Sequence, residues 1–250
     1  SPAVAAFECA LLSALAARGG TSLRETFGGA LRSLESDLTL SAWNDPALTE
    51  AAAREASREG FRVLKVKVGG RFEDDMTRLR AALRGAPRAR LLLDGNQGLT
   101  RAGALKLVEA ALKLAPVDLI EQPLPKDDLA GMAFVSKRCP VPVAADESVS
   151  TPEAAYRVLS RGAATAVNIK VAKSGLSRSL AIAAVARAAG APLMIGCMAE
   201  TARGLSPSAA LAAGTGFFRF VDLDSDHLLR EDAAARRRAG WKRVGPRLVF

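Results

Sequence analysis

The sequence predicts an α/β fold, a TIM-like barrel of the (β/α)8 type. Eight short runs rich in β-branched and aliphatic residues recur between residues 37 and 224, and the segments between them carry apolar residues at helical spacing. Seven of the runs end at or near a polar residue or a cysteine that recurs every 24 to 27 positions. Alternating strands and helices pair in parallel through right-handed crossovers, and eight such repeats fit a closed barrel better than an open sheet.

The candidate strands and helices follow one another along the whole chain. The strands are DLTLSAW (37–43), FRVLKVKV (61–68), ARLLLDGN (89–96), VDLIEQP (117–123), VPVAADES (141–148), TAVNIKV (165–171), APLMIGC (191–197) and FFRFVDLD (217–224). In the intervening TPEAAYRVLSRG, Thr151 can cap a helix, Pro152 suits its first position and Gly162 can end it.

The chain is expected to form one domain over residues 1–250, because no Pro-, Gly- or Ser-rich linker divides it. A first helix, from about Val4 to Arg18, precedes the first strand, and we expect segment 1–20 to close one end of the barrel. The barrel itself would span 37–224, followed by a C-terminal segment, 225–250.

Composition indicates an ordinary globular protein. Hydrophobic residues make up 49% of the chain, enough for a sizeable core, and no apolar run approaches the roughly 20 residues of a membrane helix. Glu8 interrupts the first apolar segment, which lacks a positive n-region and is a poor signal peptide. The three cysteines share no metal-type spacing and suit a reducing compartment. We therefore predict a cytoplasmic protein.

The net charge of +9 does not by itself indicate nucleic-acid binding. The basic residues are scattered over polar helix faces, the only run being Arg236–Arg238, and aromatic residues make up only 5% of the chain. A solvated basic surface is the favoured interpretation, with no nucleic-acid or membrane partner. Since His227 is the single histidine, proton chemistry falls to Lys, Asp or Glu.

The residues that end the strands predict the position of the active site. They are Lys67, Asp94, Glu121, Asp146, Lys170, Cys197 and Asp222. In a barrel the C-terminal strand ends form one rim, where the active site of this fold lies. One such residue alone would be a solvated strand end, but seven in register indicate chemistry.

Three of these residues are acids on consecutive strands, which suggests a metal site. Asp94, Glu121 and Asp146 would converge, and like charges in a partly buried site repel unless a cation neutralises them. All-oxygen ligands favour a hard divalent ion, above all Mg²⁺. Asp94 and Asp146 could instead be helix N-caps, an alternative that leaves Glu121 unexplained.

Two lysines lie four strands apart and would face each other across the barrel mouth. One could remove the α-proton of a metal-bound carboxylate and the other could reprotonate the enolate, whose charge Mg²⁺ would stabilise. An ordinary lysine is protonated at pH 7 and is then a poor base. We expect the neighbouring cations Lys65 and Lys173, with the metal, to favour the neutral amines of Lys67 and Lys170.

Six motifs resemble those of the enolase superfamily. Within it they are most similar to the muconate-lactonizing-enzyme subgroup, which belongs to the mandelate racemase/muconate lactonizing enzymes. In order and spacing they are KVKVGG, LLLDGNQG, IEQPLP, ADES, NIKVAKSG and GCMAET. The resemblance covers nearly all of the chain and implies a modified (β/α)7β barrel. It implies Lys67 and Lys170 as the acid/base pair, and Asp94, Glu121 and Asp146 as ligands of one Mg²⁺ per subunit.

We also expect further residues around the substrate, and a homo-oligomer. Substrate would contact Lys65, Cys197, Met198, Asp222 and Asp224. Behind these groups we expect Asn96, Glu147, Lys173 and Glu200. Members of the family carry an N-terminal α+β capping domain, and this sequence begins at the helix that follows it; either the chain is a fragment or the cap is absent.

The final strand favours one activity within the subgroup. FVDLDSDHLL carries Asp222 and Asp224, which resemble the D-x-D that dipeptide epimerases use to hold a free α-ammonium. Acids at i and i+2 of a strand share a face and can grip one cation, although two acids in the loop after the strand are the simpler alternative. We predict an Mg²⁺-dependent epimerase acting on the C-terminal residue of a dipeptide, of the L-Ala-D/L-Glu type.

Other activities remain open at this point. An o-succinylbenzoate synthase or N-succinylamino acid racemase would use the same lysine pair without a cation grip, and muconate cycloisomerase is disfavoured for the same reason. A non-catalytic barrel that binds a ligand is the alternative from another class, against which the retention of both lysines and all three acids argues.

Overall fold

A computed structural model describes residues 2–229, 236 and 239–250. The helices are Pro2–Arg18 (α1), Leu23–Thr26 (α2), Pro46–Arg58 (α3), Phe72–Gly85 (α4), Arg101–Leu112 (α5), Leu129–Ser136 (α6), Pro152–Ser160 (α7), Val171–Ser174 (α8), Leu176–Ala188 (α9), Ala202–Thr215 (α10) and Ser225–Leu228 (α11). The strands are Ser33–Glu35 (β1), Leu38–Leu40 (β2), Val63–Lys67 (β3), Arg90–Asp94 (β4), Val117–Glu121 (β5), Val143–Ala145 (β6), Ala166–Ile169 (β7), Leu193–Gly196 (β8), Phe218–Asp222 (β9), Lys242–Val244 (β10) and Arg247–Val249 (β11).

Strands β2 to β9 form an eight-stranded sheet in chain order. The neighbouring strands pair in parallel, for example β3 with β4 and β4 with β5. Each predicted run contains one of these strands, shortened at its ends because the polar residues that follow each run belong to loops. The eight predicted strands and the α/β fold class are confirmed.

The chain divides into two compact units. The first unit comprises Asp37–Val149 and Ala154–Val167, and the second comprises Ser1–Ser36, Ser150–Glu153 and Asn168–Phe250. In the first unit the interior is built from strand residues such as Leu64, Leu91 and Leu119, each fully buried. The prediction of one domain over 1–250, with a closing helix in 1–20, stays a prediction.

Several elements of the second unit were not predicted. A three-stranded antiparallel sheet in the order β1-β11-β10 joins segments from both ends of the chain. Its strands are three residues long, too short for a periodic pattern to be recognised in the sequence. Short helices α2, α8 and α11 were also missed.

Two residues of the basic run Arg236–Arg238, namely Arg237 and Arg238, lie outside the described residues.

Helix α1 is tied to α9 within the second unit. The carboxylate of Glu8 accepts hydrogen bonds from the backbone N–H groups of Leu176 (2.8 Å) and Ser177 (3.1 Å) at the start of α9. A carboxylate there satisfies free amide groups and complements the helix dipole. The residue that weakened the signal-peptide interpretation thus has a structural role.

In the described part of the chain, no helix is long and apolar enough to cross a membrane.

Candidate active site

The first unit brings a lysine and two acids together at the ends of three adjacent strands. In the sheet register Lys67 lies beside Asp94, and Asp94 lies beside Glu121. Asp94 is 1% exposed and Glu121 is fully buried. Adjacent parallel strands lie about 4.8 Å apart. Register alone therefore places these three functional groups side by side, as the spacing of the sequence predicted.

Lys65 and Lys67 share a face of β3 and compete for one carboxylate oxygen. Lys65 Nζ lies 3.2 Å from Asp94 Oδ2 and 2.7 Å from Glu121 Oε2, and Lys67 Nζ lies 2.9 Å from the same Asp94 Oδ2. The Lys65 side chain is 3% exposed, whereas that of Lys67 is 37% exposed. Lys65 therefore neutralises the buried acids, and Lys67 is the lysine that a solute can reach.

The charge of Asp94 is stabilised by its neighbours. Burial raises the pKa of Asp94, but the ammonium groups of Lys65 and Lys67 outweigh burial and hold the pKa below its usual value. Asn96 donates its backbone N–H to Asp94 Oδ1 (3.1 Å), and its side-chain Oδ1 accepts from Lys67 Nζ (2.8 Å). The residue expected behind the site thus touches both the acid and the lysine.

Lys67 has a carboxylate neighbour that sequence reasoning did not count. The neutral amine was predicted from the cations around the site, including Lys65 and the metal. The structure adds Asp94, whose Oδ2 lies 2.9 Å from Lys67 Nζ and 3.2 Å from Lys65 Nζ. The neutral amine stays a prediction.

Gln122, which sequence reasoning missed, fixes the loop that carries Asp146. Its Oε1 accepts the backbone N–H groups of Asp146 (3.0 Å) and Ser148 (3.2 Å), and its Nε2 donates to the carbonyl of Leu124 and to Ser148 Oγ (both 2.9 Å). The side chain is fully buried, and the backbone has a positive φ of 32°. A glutamine directly after a strand-ending acid was the available signal.

The N-cap alternative for the acids is excluded. Thr100 caps α5, accepting the N–H of Gly103 at 3.1 Å, and α7 begins only at Pro152. Asp94 and Asp146 precede these helices by several residues and are 1% and 4% exposed. Both acids are therefore buried strand-end groups rather than solvated caps.

The donor set in the first unit fits a hard divalent cation. Asp94, Glu121 and Asp146 offer buried carboxylate oxygens, and a magnesium site needs one or more such anions with room for water and substrate. Glu147, which follows Asp146, has a buried Oε2 that accepts no hydrogen bond from any described residue. Lys65 and Lys67 balance only part of this negative charge. These acids could hold Mg²⁺, whereas among the described residues only Cys197, Asp222 and Asp224 bring three such ligand atoms within 4.8 Å of one another.

In the second unit, Lys170 directly follows β7 and is the N-cap residue of the short helix α8. The residue is 8% exposed, and its carbonyl accepts the backbone N–H of Lys173 at 3.0 Å. Gly196 leaves space for it, since a Cβ there would lie 3.0 Å from Lys170 Cε and 2.7 Å from the side-chain amide of Asn168. Lys170 is thus a buried lysine held against the end of β8.

Cys197, Asp222 and Asp224 form a second group of converging side chains. One ligand atom from each lies within 4.8 Å of the others, and the two acids are 2% and 3% exposed. The thiol of Cys197 donates to Asp224 Oδ1 at 3.6 Å. Burial raises the pKa of Cys197 well above its usual value, and both carboxylates raise it further. The cysteine is therefore a neutral donor beside two acids.

The predicted reason for this convergence was partly wrong. Strand β9 ends at Asp222, and Asp224 has helical backbone angles at the start of α11. The two acids meet because the chain turns after the strand, not because i and i+2 of a strand share a face. Asp224 thus follows the strand, as the loop alternative had it, but both acids are buried.

Glu200 and Met198 lie in the loop after β8. Burial raises the pKa of Glu200, and the N–H of Met198 and the charge of Lys170 only partly offset this. Its Oε1 accepts the Met198 N–H at 2.9 Å. Met198 is 52% exposed and is the least buried of the residues expected around the substrate. Glu200 therefore lies within electrostatic range of Lys170.

The comparisons with known proteins agree on the family. Residues 47–241 match the family described as Enolase C-terminal domain-like. The chain belongs to this family. It is 40% identical over 226 residues to an aromatic dipeptide epimerase of Herpetosiphon aurantiacus, covering 90% of this chain and 63% of that protein. It is 36% identical over 248 residues to an L-Ala-D/L-Glu epimerase of Thermotoga maritima, covering 98% and 70%.

Solved structures of this family share the fold. A substrate-liganded L-Ala-D/L-Glu epimerase from Bacillus subtilis superposes with a TM-score of 0.91 at 33% identity, covering 98% of this chain and 68% of that one. A dipeptide epimerase from Enterococcus faecalis, complexed with Mg and L-Leu-L-Tyr, gives 0.82 at 30% identity, covering 91% and 64%. The fold is therefore the α/β barrel of this family, and the chain spans about two thirds of the length of these relatives.

Proposed function

We propose that the protein is an Mg²⁺-dependent dipeptide epimerase that inverts the α-carbon of the C-terminal residue. The observation that carries the substrate class is the buried group of Cys197, Asp222 and Asp224. Two converging carboxylates can hold a cation by charge-assisted hydrogen bonds, and the α-ammonium of a dipeptide is such a cation. An N-succinylated or muconate-like substrate would bring negative charge to the same carboxylates. The relatives named as dipeptide epimerases support the same class.

In this proposal the lysines move the protons. Lys67 and Lys170 end strands that lie four places apart in the sheet order, and we assign one lysine to each face of the α-carbon. One removes the proton and the other returns a proton to the opposite face, which inverts the centre. We assign Lys65, which now pairs with Asp94 and Glu121, to binding of the substrate carboxylate. Bound Mg²⁺ would supply the positive charge that stabilises negative charge developing on the carboxylate oxygens.

A deuterium-exchange experiment tests the activity. The protein, treated with chelator and reloaded with Mg²⁺, is incubated in deuterium oxide with L-Ala-L-Glu and with aromatic and hydrophobic dipeptides, and proton NMR follows the α-proton of the C-terminal residue. Loss of that signal with formation of the second epimer is expected. Exchange that persists in the chelator-treated protein would contradict the metal assignment, and no exchange from any dipeptide would contradict the function.

Two variants test the assignment of the bases. Lys67→Ala and Lys170→Ala should both abolish net inversion, yet each should retain slow exchange of the one epimer that its remaining lysine can deprotonate. Arg101→Met, which removes an exposed ion pair with Asp128, is the control and should exchange both epimers. A lysine variant that interconverts both epimers at the wild-type rate would contradict the two-base mechanism.

We also predict a cytoplasmic homo-oligomer.

A further inference from the structure

Asp75 is a fully buried acid that the proposed chemistry does not use. It lies in the first turn of α4. Its Oδ2 accepts the backbone N–H groups of Gly69 (3.0 Å) and Gly70 (3.1 Å), which precede the helix. An ordinary capping residue would bind amide groups of its own helix. Asp75 instead binds the loop that follows Lys67.

Arg78 completes this contact from the next turn of α4. One nitrogen, Nη1, donates to Asp75 Oδ1 (2.8 Å) and to the backbone carbonyl of Lys67 (3.1 Å). The Arg78 side chain is 12% exposed and that of Asp75 is 1% exposed. Charge-assisted hydrogen bonds between such shielded groups are stronger than neutral ones. The ion pair therefore fixes the backbone at Lys67 and again two and three residues later.

The same loop is held on its other side by close glycine contacts. Gly69 has a φ of +115°, and a Cβ there would lie 2.6 Å from the carbonyl oxygen of Gly95, the residue after Asp94. A Cβ at Gly98 would lie 2.6 Å from the carbonyl oxygen of Gly69. The loop after Lys67 is thus confined between the loop after Asp94 and the ion pair of α4.

Backbone placement matters for Lys67 because its side chain is long and 37% exposed. A flexible amine reaches a substrate proton only if its backbone anchor and its polar contacts hold it in one place. Its Nζ donates to Asp94 Oδ2 at the end of β4 (2.9 Å) and to Asn96 Oδ1 in the loop that follows (2.8 Å). A small shift of β3 against β4 would therefore move the amine out of register with both.

We propose that Asp75 and Arg78 are positioning residues for Lys67, and that they govern proton transfer at one face of the substrate only. The proposal rests on the proposed two-lysine function. Neither residue touches the reacting atoms, since both act through the backbone of β3 and its loop. Lys170 belongs to another strand with its own supports, so its proton transfer should be unaffected.

Epimer-specific exchange in deuterium oxide distinguishes positioning from general damage to the fold. The two epimers of the best dipeptide are supplied separately to wild type, Arg78→Met, Arg78→Lys and Asp75→Asn, and the initial loss of each α-proton is measured. Lys67→Ala identifies the epimer that depends on Lys67. For that epimer Arg78→Met should reduce exchange at least about tenfold, while exchange of the other epimer stays within about threefold. Arg78→Lys, which keeps a charged donor, should recover part of the loss.

Three outcomes contradict the positioning role. They are an equal loss for both epimers, no loss for either epimer, and no difference between Arg78→Lys and Arg78→Met. Arg101→Met, the loss of an exposed ion pair in the same unit, is the matched control and should leave both rates unchanged. If Asp75→Asn does not fold, the two Arg78 variants decide the question. Wild type that exchanges neither epimer would instead contradict the proposed function.

Discussion

Lys67 Nζ lies 2.9 Å from Oδ2 of Asp94, so the candidate base contacts an oxygen atom that a metal ion would also use. Lys65 lies 3.2 Å from the same atom. A divalent cation on Asp94 would compete with both lysines for this oxygen. A cation bound there would therefore release the amine of Lys67 from Asp94.

This competition predicts that Mg²⁺ increases the chemical reactivity of Lys67. Acetic anhydride acylates accessible amines, so release of Lys67 Nζ from Asp94 Oδ2 should raise its labelling rate severalfold. Mass spectrometry of peptides from chelator-treated and Mg²⁺-loaded protein measures the rate at each lysine. Lys113, paired with Glu109 on the surface, is the internal reference and should not respond. Slower labelling of Lys67 in Mg²⁺ would contradict the shared-oxygen interpretation.

The lowered pKa of Asp94 predicts how the stability of the metal-free protein depends on pH. A carboxyl group whose pKa is lower in the folded than in the unfolded state, where it is about 3.9, stabilises the fold above that value. This contribution is lost as pH falls towards the folded-state pKa. Urea unfolding in chelator at pH 6 and pH 3 should therefore show a larger loss for wild type than for Asp94→Asn. Asp118→Asn, which breaks the ion pair with Arg90, is the control. Equal losses of unfolding free energy in wild type and Asp94→Asn would refute the stabilising role of ionised Asp94.

Gln122 should matter for metal binding although it offers no ligand. Gln122→Met keeps the approximate shape but removes four hydrogen bonds, including the one to the Asp146 N–H, and should raise the dissociation constant for Mg²⁺ about tenfold. The free energy of unfolding should fall by about 2–4 kcal/mol, because buried polar groups lose their partners. Isothermal titration calorimetry and urea unfolding measure the two effects.

The control for this variant is Gln97→Met. Gln97 belongs to the loop after β4, and its Oε1 accepts one backbone hydrogen bond, from Lys126. We expect little change in magnesium affinity from this substitution. Similar affinity losses in both variants would show that any disturbance of these loops weakens the metal, and would remove the specific role of Gln122.

Gly196→Ala should disturb Lys170 without removing it. The added Cβ would lie 3.0 Å from Lys170 Cε and 2.7 Å from the Asn168 amide, closer than side chains normally approach. Exchange of the epimer that depends on Lys170 should fall at least about tenfold, whereas the other epimer should be less affected. Gly19→Ala, whose Cβ would meet its nearest atoms at 3.4 and 3.6 Å, is the control. An unchanged exchange rate in Gly196→Ala would show that this contact is not needed.

The strands and the acid–lysine group were predictable because both depend on local pattern and regular spacing. A parallel sheet turns equal intervals along the chain into neighbouring positions, so Lys67, Asp94 and Glu121 lie in register. The antiparallel sheet of β1, β10 and β11 was not predictable, because short strands from distant segments give no periodic signal. Gln122 was missed because its role depends on a backbone turn that the sequence does not display.

The surroundings of the charged groups were harder to predict than their positions. Sequence reasoning counted the cations near Lys67, namely Lys65 and the metal. The three-dimensional arrangement adds Asp94, whose Oδ2 contacts both lysines. Pairwise proximity along one strand is readable from a sequence, whereas the sum of charges across several strands depends on distances that only a structure supplies.

The last prediction concerns substrate class and rests on Asp222 and Asp224. If the buried pair binds an α-ammonium, each charge-assisted contact should contribute about 1.5–3 kcal/mol, so Asp224→Asn should lower kcat/KM for a free dipeptide roughly tenfold to a hundredfold. The kcat/KM for an N-succinylamino acid should fall little. The carboxylates repel the negative end of that substrate, so removal of one charge weakens the repulsion. The measurement is the ratio of kcat/KM for L-Ala-L-Glu to that for an N-succinylamino acid, in wild type and in Asp224→Asn. Asp226→Asn is unsuitable as a control because Asp226 pairs with buried Arg243, so Asp118→Asn serves instead. A wild-type ratio below one, or a ratio that Asp224→Asn does not reduce, would refute the dipeptide assignment and leave the metal and lysine assignments in place.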